Sequence, residues 1–155
     1  MTSSLQSELK QHKPFGSAEQ EAVLSLARTA ALLEHGVAET LRPHGLTPTQ
    51  YNALRILRGA EPEGLCRNEV RDRLVARVPD ATRLLDRLVE MGLVVREREG
   101  DDRRFVRSRI TRRGLELLQP LDQVIQALHA TQAGHLGERK LRVLIGLLRE
   151  IRVPA

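Results

Sequence analysis

Apolar residues follow the three-and-four spacing of amphipathic helices over most of the chain. The first such stretch begins at Ser17 and ends near Pro43 to Gly45, and it predicts one long helix. Residues 1–16 are polar and contain proline and glycine, so they predict a flexible arm before that helix. The apolar face of the helix consists of Val23, Leu26, Ala27, Ala30, Leu33, Val37 and Leu41.

A strong helix start follows at Thr47. Thr47 can cap the helix, Pro48 stands at the first helical position and Gln50 at the third, so two backbone N–H groups can be satisfied reciprocally. This pattern predicts a helix to about Arg58. A turn over Gly59 to Gly64 and a short helix over about Arg67 to Leu74 come next.

A further helix is predicted to open at Val78-Pro79 and to run to Met91, where Gly92 can end it in a left-handed conformation. One side of this helix is apolar and packs, while the other side is charged and free to contact a partner. The apolar side is Ala81, Leu84, Leu85, Leu88 and Met91, and the charged side is Asp80, Arg83, Asp86, Arg87 and Glu90.

Two short strands are predicted over Leu93 to Val95 and Phe105 to Ile110. Residues 99–102 join them and have the polar, glycine-containing composition of a hairpin tip. Thr111 can cap another helix that continues to about Ala133. A last helix carries Leu141, Leu144, Ile145, Leu148 and Ile151.

Three short helices followed by a hairpin form a winged helix-turn-helix, whose last short helix enters the major groove of DNA. The predicted fold is therefore mainly α with a small β-hairpin wing. The long helices on either side can bury their apolar faces against a second copy of the chain. We divide the chain into a flexible N-terminal arm (1–16), a dimerisation helix (17–45), a winged helix-turn-helix DNA-binding domain (46–113) and C-terminal dimerisation helices (114–155).

The positive charge is concentrated in the middle of the chain. The formal net charge of the 155 residues is +5, and residues 67–113 contain 14 basic and 9 acidic side chains. All 14 basic residues are arginine, whose planar fork matches phosphate oxygens and guanine edges. A solvated, salt-bridged surface is the alternative interpretation of these charges.

Several function classes lack support in the sequence. There are only three aromatic residues, which argues against a base-stacking platform for RNA. No P-loop, dinucleotide fingerprint, nucleophile elbow or HExxH motif is present, so we expect neither an enzyme nor a cofactor. The start lacks the apolar segment of a secretory signal, no apolar run suits a membrane span, and the single cysteine fits a reducing compartment. We expect a cytoplasmic protein.

Several motifs occur in order between Thr47 and Leu118. Residues 81–88 read ATRLLDRL, residues 91–94 read MGLV, residues 101–104 read DDRR, and residues 110–114 read ITRRG. In this order the motifs resemble those of the MarR family of bacterial transcription regulators. The resemblance implies a homodimeric winged-helix repressor, less often an activator, that binds a palindromic operator and is released by a small molecule, a metal or an oxidant.

The resemblance makes the helix from Val78 to Met91 the recognition helix. The sequence departs from the family at residues 77–79, which read RVP where many members have a small polar cap, and at Val70-Arg71, where the family has Leu-Ala. The DNA contacts implied at and before the helix start are Arg77, Pro79, Asp80, Thr82 and Arg83. Arg83 can instead pair within its helix, and for Arg87 such structural pairing is the preferred interpretation.

In the wing, the family's D-x-R pattern falls on Asp102 and Arg104. The resemblance implies that Arg104 inserts into the minor groove, where negative potential is concentrated, and that Asp102 orients it. Arg103 and Arg107 would add phosphate contacts.

Candidate sensing residues are few. Cys66 lies near the start of a short helix, where exposed N–H groups can favour the thiolate, so redox sensing competes with an ordinary buried or capping role. No two of the five histidines have the i, i+4 spacing of a zinc site, and we expect no metal. By position in the resembled family, His35 and His44 lie near the ligand cleft and are candidate effector contacts.

The sequence thus predicts a sequence-specific regulator that binds double-stranded DNA as a homodimer, is released by a small-molecule effector and has no membrane partner. One alternative is a winged-helix module that binds an acidic protein surface without specific DNA binding. Another is a metal- or redox-sensing regulator of the same fold.

Overall fold

The computed structural model describes residues 4–98 and 106–153. This part of the chain contains seven α-helices and a small β-sheet. The helices are α1 (Leu5–Glu8), α2 (Ala18–Leu41), α3 (Pro48–Arg58), α4 (Arg67–Arg73), α5 (Thr82–Glu90), α6 (Arg112–Ala133) and α7 (Gly137–Arg152). The strands are β1 (Leu65–Cys66), β2 (Val94–Arg98) and β3 (Val106–Ile110).

The chain forms two compact units, Met1–Gly36 and Val37–Ala155. In the first unit, the predicted flexible arm contains one helical turn, α1, whose start is capped by the Ser4 hydroxyl. The part of α2 in this unit exposes its large apolar side chains Val23, Leu24, Leu32 and Leu33, with 37–62% of each accessible. Among the described helices, none is long and apolar enough to cross a membrane.

Local signals in the sequence predicted most helices of the second unit. At the start of α3, the Thr47 hydroxyl accepts the Gln50 N–H at 3.2 Å and the Gln50 side chain accepts the Thr47 N–H at 3.0 Å. This confirms the predicted capping box. Thr111 caps α6 in the same way, accepting the Gly114 N–H at 3.1 Å.

The core of the second unit packs around α3. This helix contacts α4, α5, α6 and β3, and it buries Leu54 and Leu57 completely. Complete burial of one leucine side chain contributes about 1.5–3 kcal/mol to folding. The side chains packed with them at 0–1% exposure include Leu41, Val70, Leu85, Leu88, Leu118 and Leu121.

The sheet has three antiparallel strands in the order β1-β3-β2, one more than the predicted two-stranded hairpin. Strand β2 pairs with β3 from Val94 opposite Ile110 onward, and β1 adds Leu65 opposite Ser108. The two residues of β1 are too few to show an alternating pattern, so the sequence gives no signal for this strand. The predicted tip, residues 99–102, lies outside the described residues.

Helix α5 begins at Thr82, four residues later than the predicted start at Val78. The Asp80 carboxylate accepts the Thr82 N–H at 3.0 Å, which gives the backbone a local turn in place of a helical bond. The predicted end is confirmed, because Gly92 follows α5 with a φ of 72°.

Replacing Gly114 with alanine is expected to destabilise the fold. Its Cβ would lie 2.6 Å from both the Leu93 carbonyl oxygen and Ile110 Cγ1, inside the core. Such overpacking should lower the free energy of unfolding by about 1–3 kcal/mol, measured by urea denaturation. Gly59→Ala is the matched control, since its nearest atoms would be 3.6 Å away. Equal stability of the two variants would contradict the packing described here.

Candidate nucleic-acid interface

The residues predicted to contact DNA at and before the start of the recognition helix lie around the N-terminus of α5, which side chains of α4 and β2 also contact. Arg77 and Pro79 are exposed in the segment before α5, and Arg83 is exposed in its first turn. Neither Arg77 nor Arg83 has a hydrogen-bond or ion-pair partner among the described residues. Two guanidinium groups beside the start of this helix are therefore available to an external anion.

Asp80 and Thr82 bind each other at the start of α5. The Thr82 hydroxyl donates to the Asp80 carboxylate at 2.7 Å, and the Thr82 N–H donates to it as well. Both hydrogen bonds lower the pKa of Asp80 below its usual range, and the bond from the hydroxyl has the larger effect. By accepting both bonds, the carboxylate fixes the turn that leads into the helix.

Arg67 joins the start of α4 to this turn, and it was not among the predicted contacts. Its Nε lies 3.7 Å from Asp80 and its Nη1 donates to the Thr82 hydroxyl at 3.2 Å. With 57% of its side chain exposed, Arg67 can also meet an external anion. Arg67 and Asp80 are thirteen positions apart in different elements, so no local pattern could have revealed the pair.

Arg96 braces α5 against the sheet from β2. Its Nη1 lies 2.7 Å from Asp86, and its Nη2 donates to the Thr82 carbonyl at 3.5 Å. On the same helix Arg87 pairs with Glu90 at 3.1 Å, which confirms the predicted pairing of Arg87. The Arg96–Asp86 ion pair thus holds α5 against β2, while Arg83 in the first turn has no ion-pair partner among the described residues.

At the base of the wing, Arg107 contacts the body of the unit. Its Nη1 donates to the Gly64 carbonyl at 3.3 Å and lies 3.9 Å from Glu69. The Glu69 carboxylate also accepts the Cys66 N–H at 2.8 Å, the main cause of its lowered pKa. The predicted wing residues Asp102, Arg103 and Arg104 lie outside the described residues.

Cys66 stands at the N-cap of α4 and is half-buried. Its backbone pairs with Arg107 in the sheet. The geometry matches the capping alternative raised by the sequence, and redox sensing stays a prediction.

The two histidines predicted as effector contacts lie in different units. His35 is exposed on α2 in the first unit. His44 borders an open cavity of about 460 Å³ in the second unit. The other residues lining this cavity are Met91, Leu93, Arg113, Glu116 and Leu117.

A second cluster joins the end of α3 to the middle of α6. Arg58 donates to both carboxylate oxygens of Asp122, at 2.8 and 2.9 Å. This two-pronged bond is the first cause of the raised pKa of Arg58 and of the lowered pKa of Asp122. The pair borders a cavity of about 440 Å³ that is also lined by Tyr51, Arg55 and His129, and Arg55 lies 5.9 Å from the centre of the Tyr51 ring.

Comparisons with known proteins point to one family. The sequence profile of the MarR family matches residues 44–104. A MarR transcription factor from Planctomyces limnophilus has a similar crystal structure, with 40% identity, a TM-score of 0.68 and coverage of 88% of this chain and 98% of that chain. The HTH-type transcriptional regulator YkoM of Bacillus subtilis is 29% identical over 112 residues, 69% of this chain and 71% of YkoM.

A likeness of fold alone extends to a protein crystallised with DNA. The S. aureus MepR-DNA complex has a TM-score of 0.76 and 18% identity, with coverage of 83% of this chain and 94% of that chain.

The bond from Thr82 should govern the titration of Asp80. In Thr82→Val the hydroxyl is lost, so the pKa of Asp80 is expected to rise toward its ordinary value, as followed by carboxyl NMR titration. Because the folded pKa of Asp80 is depressed, the stability it adds is present above the ordinary carboxyl pKa and is lost as pH falls through the folded value. Asp122 is the internal control, because its pKa depends on Arg58. An unchanged pKa for Asp80 in the variant would refute the assigned bond.

Proposed function

The chain belongs to the MarR family of transcription regulators, and we propose that it binds a palindromic operator as a homodimer through α5 and the wing. The observation that carries this proposal is that Arg77 and Arg83, which have no partner among the described residues, lie beside a helix start that other residues hold in place. In a helix-turn-helix, the N-terminal residues of the recognition helix reach base edges in the major groove.

The contacts at the start of α5 divide into reading and positioning roles. We assign base reading to Arg83 and phosphate or base-edge contact to Arg77, since neither guanidinium group is bound by another residue in the described part of the chain. Asp80 and Thr82 position the turn, because their polar groups are used on each other. Arg67 adds a phosphate contact from α4, the helix that crosses the DNA backbone in this motif.

For the wing, the proposal rests on the sequence pattern. Arg104 enters the minor groove, Asp102 orients it, and Arg103 binds phosphate. Arg107 supports the base of the wing, because its guanidinium group is engaged by the Gly64 carbonyl and by Glu69.

Dimer formation is supported by apolar surface on the long helices. The described part of α7 buries none of its residues, and Val143, Ile145, Leu147 and Ile151 are each 53–60% exposed. In α2, Val23 and Leu32 are exposed to a similar degree. Large apolar side chains exposed along a helix favour an interface, and a symmetric pair of such helices forms an isologous dimer.

The proposed output is repression, with release by a small molecule. The two cavities, one beside His44 and one beside Arg58, provide volumes of about 460 and 440 Å³, within the range of ligand sites. His44 stands as the candidate effector contact of the second unit and His35 as that of the first.

Removing Arg83 should lower the affinity for the operator and relax the base preference. Wild type and variants are titrated against random duplexes near physiological salt, and the bound molecules are sequenced. Arg83→Ala is expected to cost about 1–3 kcal/mol on the preferred operator and to relax base preference, whereas Arg104→Ala should lower affinity and reduce the salt slope by about 1.

Arg112→Ala is the matched control, because Arg112 lies on α6, is 92% exposed and pairs with Glu116 of the same helix. Wild-type base preference in Arg83→Ala would contradict the reading role of α5. Failure of the folded, dimeric wild type to enrich any sequence would favour the protein-interaction alternative.

A charge on the exposed face of α7 should separate the dimer. Leu147→Glu is expected to shift the sedimentation coefficient to that of a monomer, because a buried unpaired carboxylate costs more than the interface can offset. Arg142→Glu places the same residue at a position that is exposed and ion-paired with Glu138, and it should remain dimeric. A dimeric Leu147→Glu variant would remove α7 from the interface.

A further inference from the structure

The bond between Arg58 and Asp122 joins two parts of the protein with different tasks. Arg58 is the last residue of α3, and α3 packs directly on α4, α5 and β3. Asp122 lies in the middle of α6, which leads into the exposed apolar helix α7. The two partners are 64 positions apart in sequence, so the pair ties the reading elements to the proposed dimerisation elements.

Helix α6 has a weak point next to this pair. Pro120 lies inside the helix, two residues before Asp122. A proline has no N–H to bond the carbonyl four residues earlier and its ring crowds that carbonyl, so a helix bends most easily there. Asp122 is thus anchored to α3 immediately after the point at which α6 can change direction.

Helix α6 also packs on α3 through apolar side chains. Leu118, Leu121 and Ile125 of α6 are buried in the core that α3 shares. Packing of this kind is not directional, and repacking within it is tolerated. A guanidinium group that donates to both oxygens of one carboxylate fixes the plane and the distance of its partner.

We propose that the Arg58–Asp122 pair sets the distance between the two recognition helices of the dimer, and thereby the operator spacing that the protein accepts. The inference rests on the proposed function. Both residues are positioning residues, since neither is assigned a contact with DNA.

The geometry of DNA makes the operator spacing sensitive to small shifts of the recognition helices. In a dimer on one face of the duplex, the two recognition helices lie about one helical turn apart, roughly 34 Å. A shift of about 1.7 Å in each helix along the duplex axis changes their separation by about one base pair. Loss of the anchor after Pro120 should therefore appear as tolerance of additional spacings.

The test compares operator spacing in wild type and Asp122→Asn, which keeps the size of the side chain and removes its charge. After selection from random duplexes, wild type is expected to show one spacing between half-sites. Asp122→Asn should accept neighbouring spacings with unchanged bases within each half-site, and its affinity for the wild-type operator should fall about tenfold. Exchange of the partners in Arg58→Asp/Asp122→Arg should narrow the distribution again.

Arg112→Gln is the matched control, because it removes an ion pair within α6, leaves the bond to α3 intact and changes no residue that lines either cavity. A single wild-type spacing in Asp122→Asn would overturn the inference, as would broadening of equal size in Arg112→Gln. Selection of no paired half-sites by wild type would instead show that the proposed function is wrong, and the spacing role would fall with it.

A second measurement needs no DNA. A spin label introduced by Arg87→Cys in a Cys66→Ser background reports the distance between the two α5 helices by pulsed electron paramagnetic resonance. Addition of Asp122→Asn is expected to broaden this distribution by a few ångström, and Arg58→Lys, which loses the two-pronged geometry, should broaden it less. Identical distributions in all three proteins would overturn the inference even if operator binding were altered.

Discussion

Burial of α3 is the constraint on which the remainder of the second unit depends. Leu54 and Leu57 have no exposed surface, and the helix that carries them touches α4, α5, α6 and β3. Polar side chains of α3 also hold the neighbouring segments in place. The Asn52 side chain accepts the Val75 N–H at 2.9 Å and so holds the segment before α5, while Arg58 holds α6. A shift of α3 would therefore move the recognition helix and the C-terminal helices together.

The arginines of this chain serve two different purposes. Arg58, Arg67 and Arg96 connect separate elements through carboxylates, and their burial is partial, so each pair contributes more to geometry than to net stability. Arg77 and Arg83 have no such partner in the described part of the chain. An arginine without an internal ion pair gives up no protein contact when it binds a phosphate, so its full interaction is available for DNA. The excess of arginine in residues 67–113 thus reflects bracing as well as recognition.

The sequence alone predicts those features of the fold whose determining interactions are local. The Thr47–Gln50 capping box, the Thr111 cap and the left-handed Gly92 each depend on neighbours within three residues, and each was predicted. It does not predict the features in which distant residues compete with a local pattern. The periodicity before α5 suggested a helix from Val78, but the turn at Asp80, which Arg67 also contacts, delays its start. Strand β1 and the Arg58–Asp122 bond depend on partners more than forty residues away, which no periodicity encodes.

A regulator that responds to a ligand needs a rigid reading element and a junction with more than one arrangement. The structure separates these requirements in space. Helix α5 is fixed at its start by Asp80 and Arg67 and along its side by Arg96. In the proposed complex it would therefore meet the DNA bases in one orientation. At the junction of α3 and α6, by contrast, Pro120 removes one backbone hydrogen bond from α6. The Arg58–Asp122 bond at this junction can break, and it borders a cavity. In the proposed dimer, a change at that junction would alter the distance between the two reading elements without altering either one, which is sufficient to release a two-fold symmetric protein from a duplex of fixed pitch.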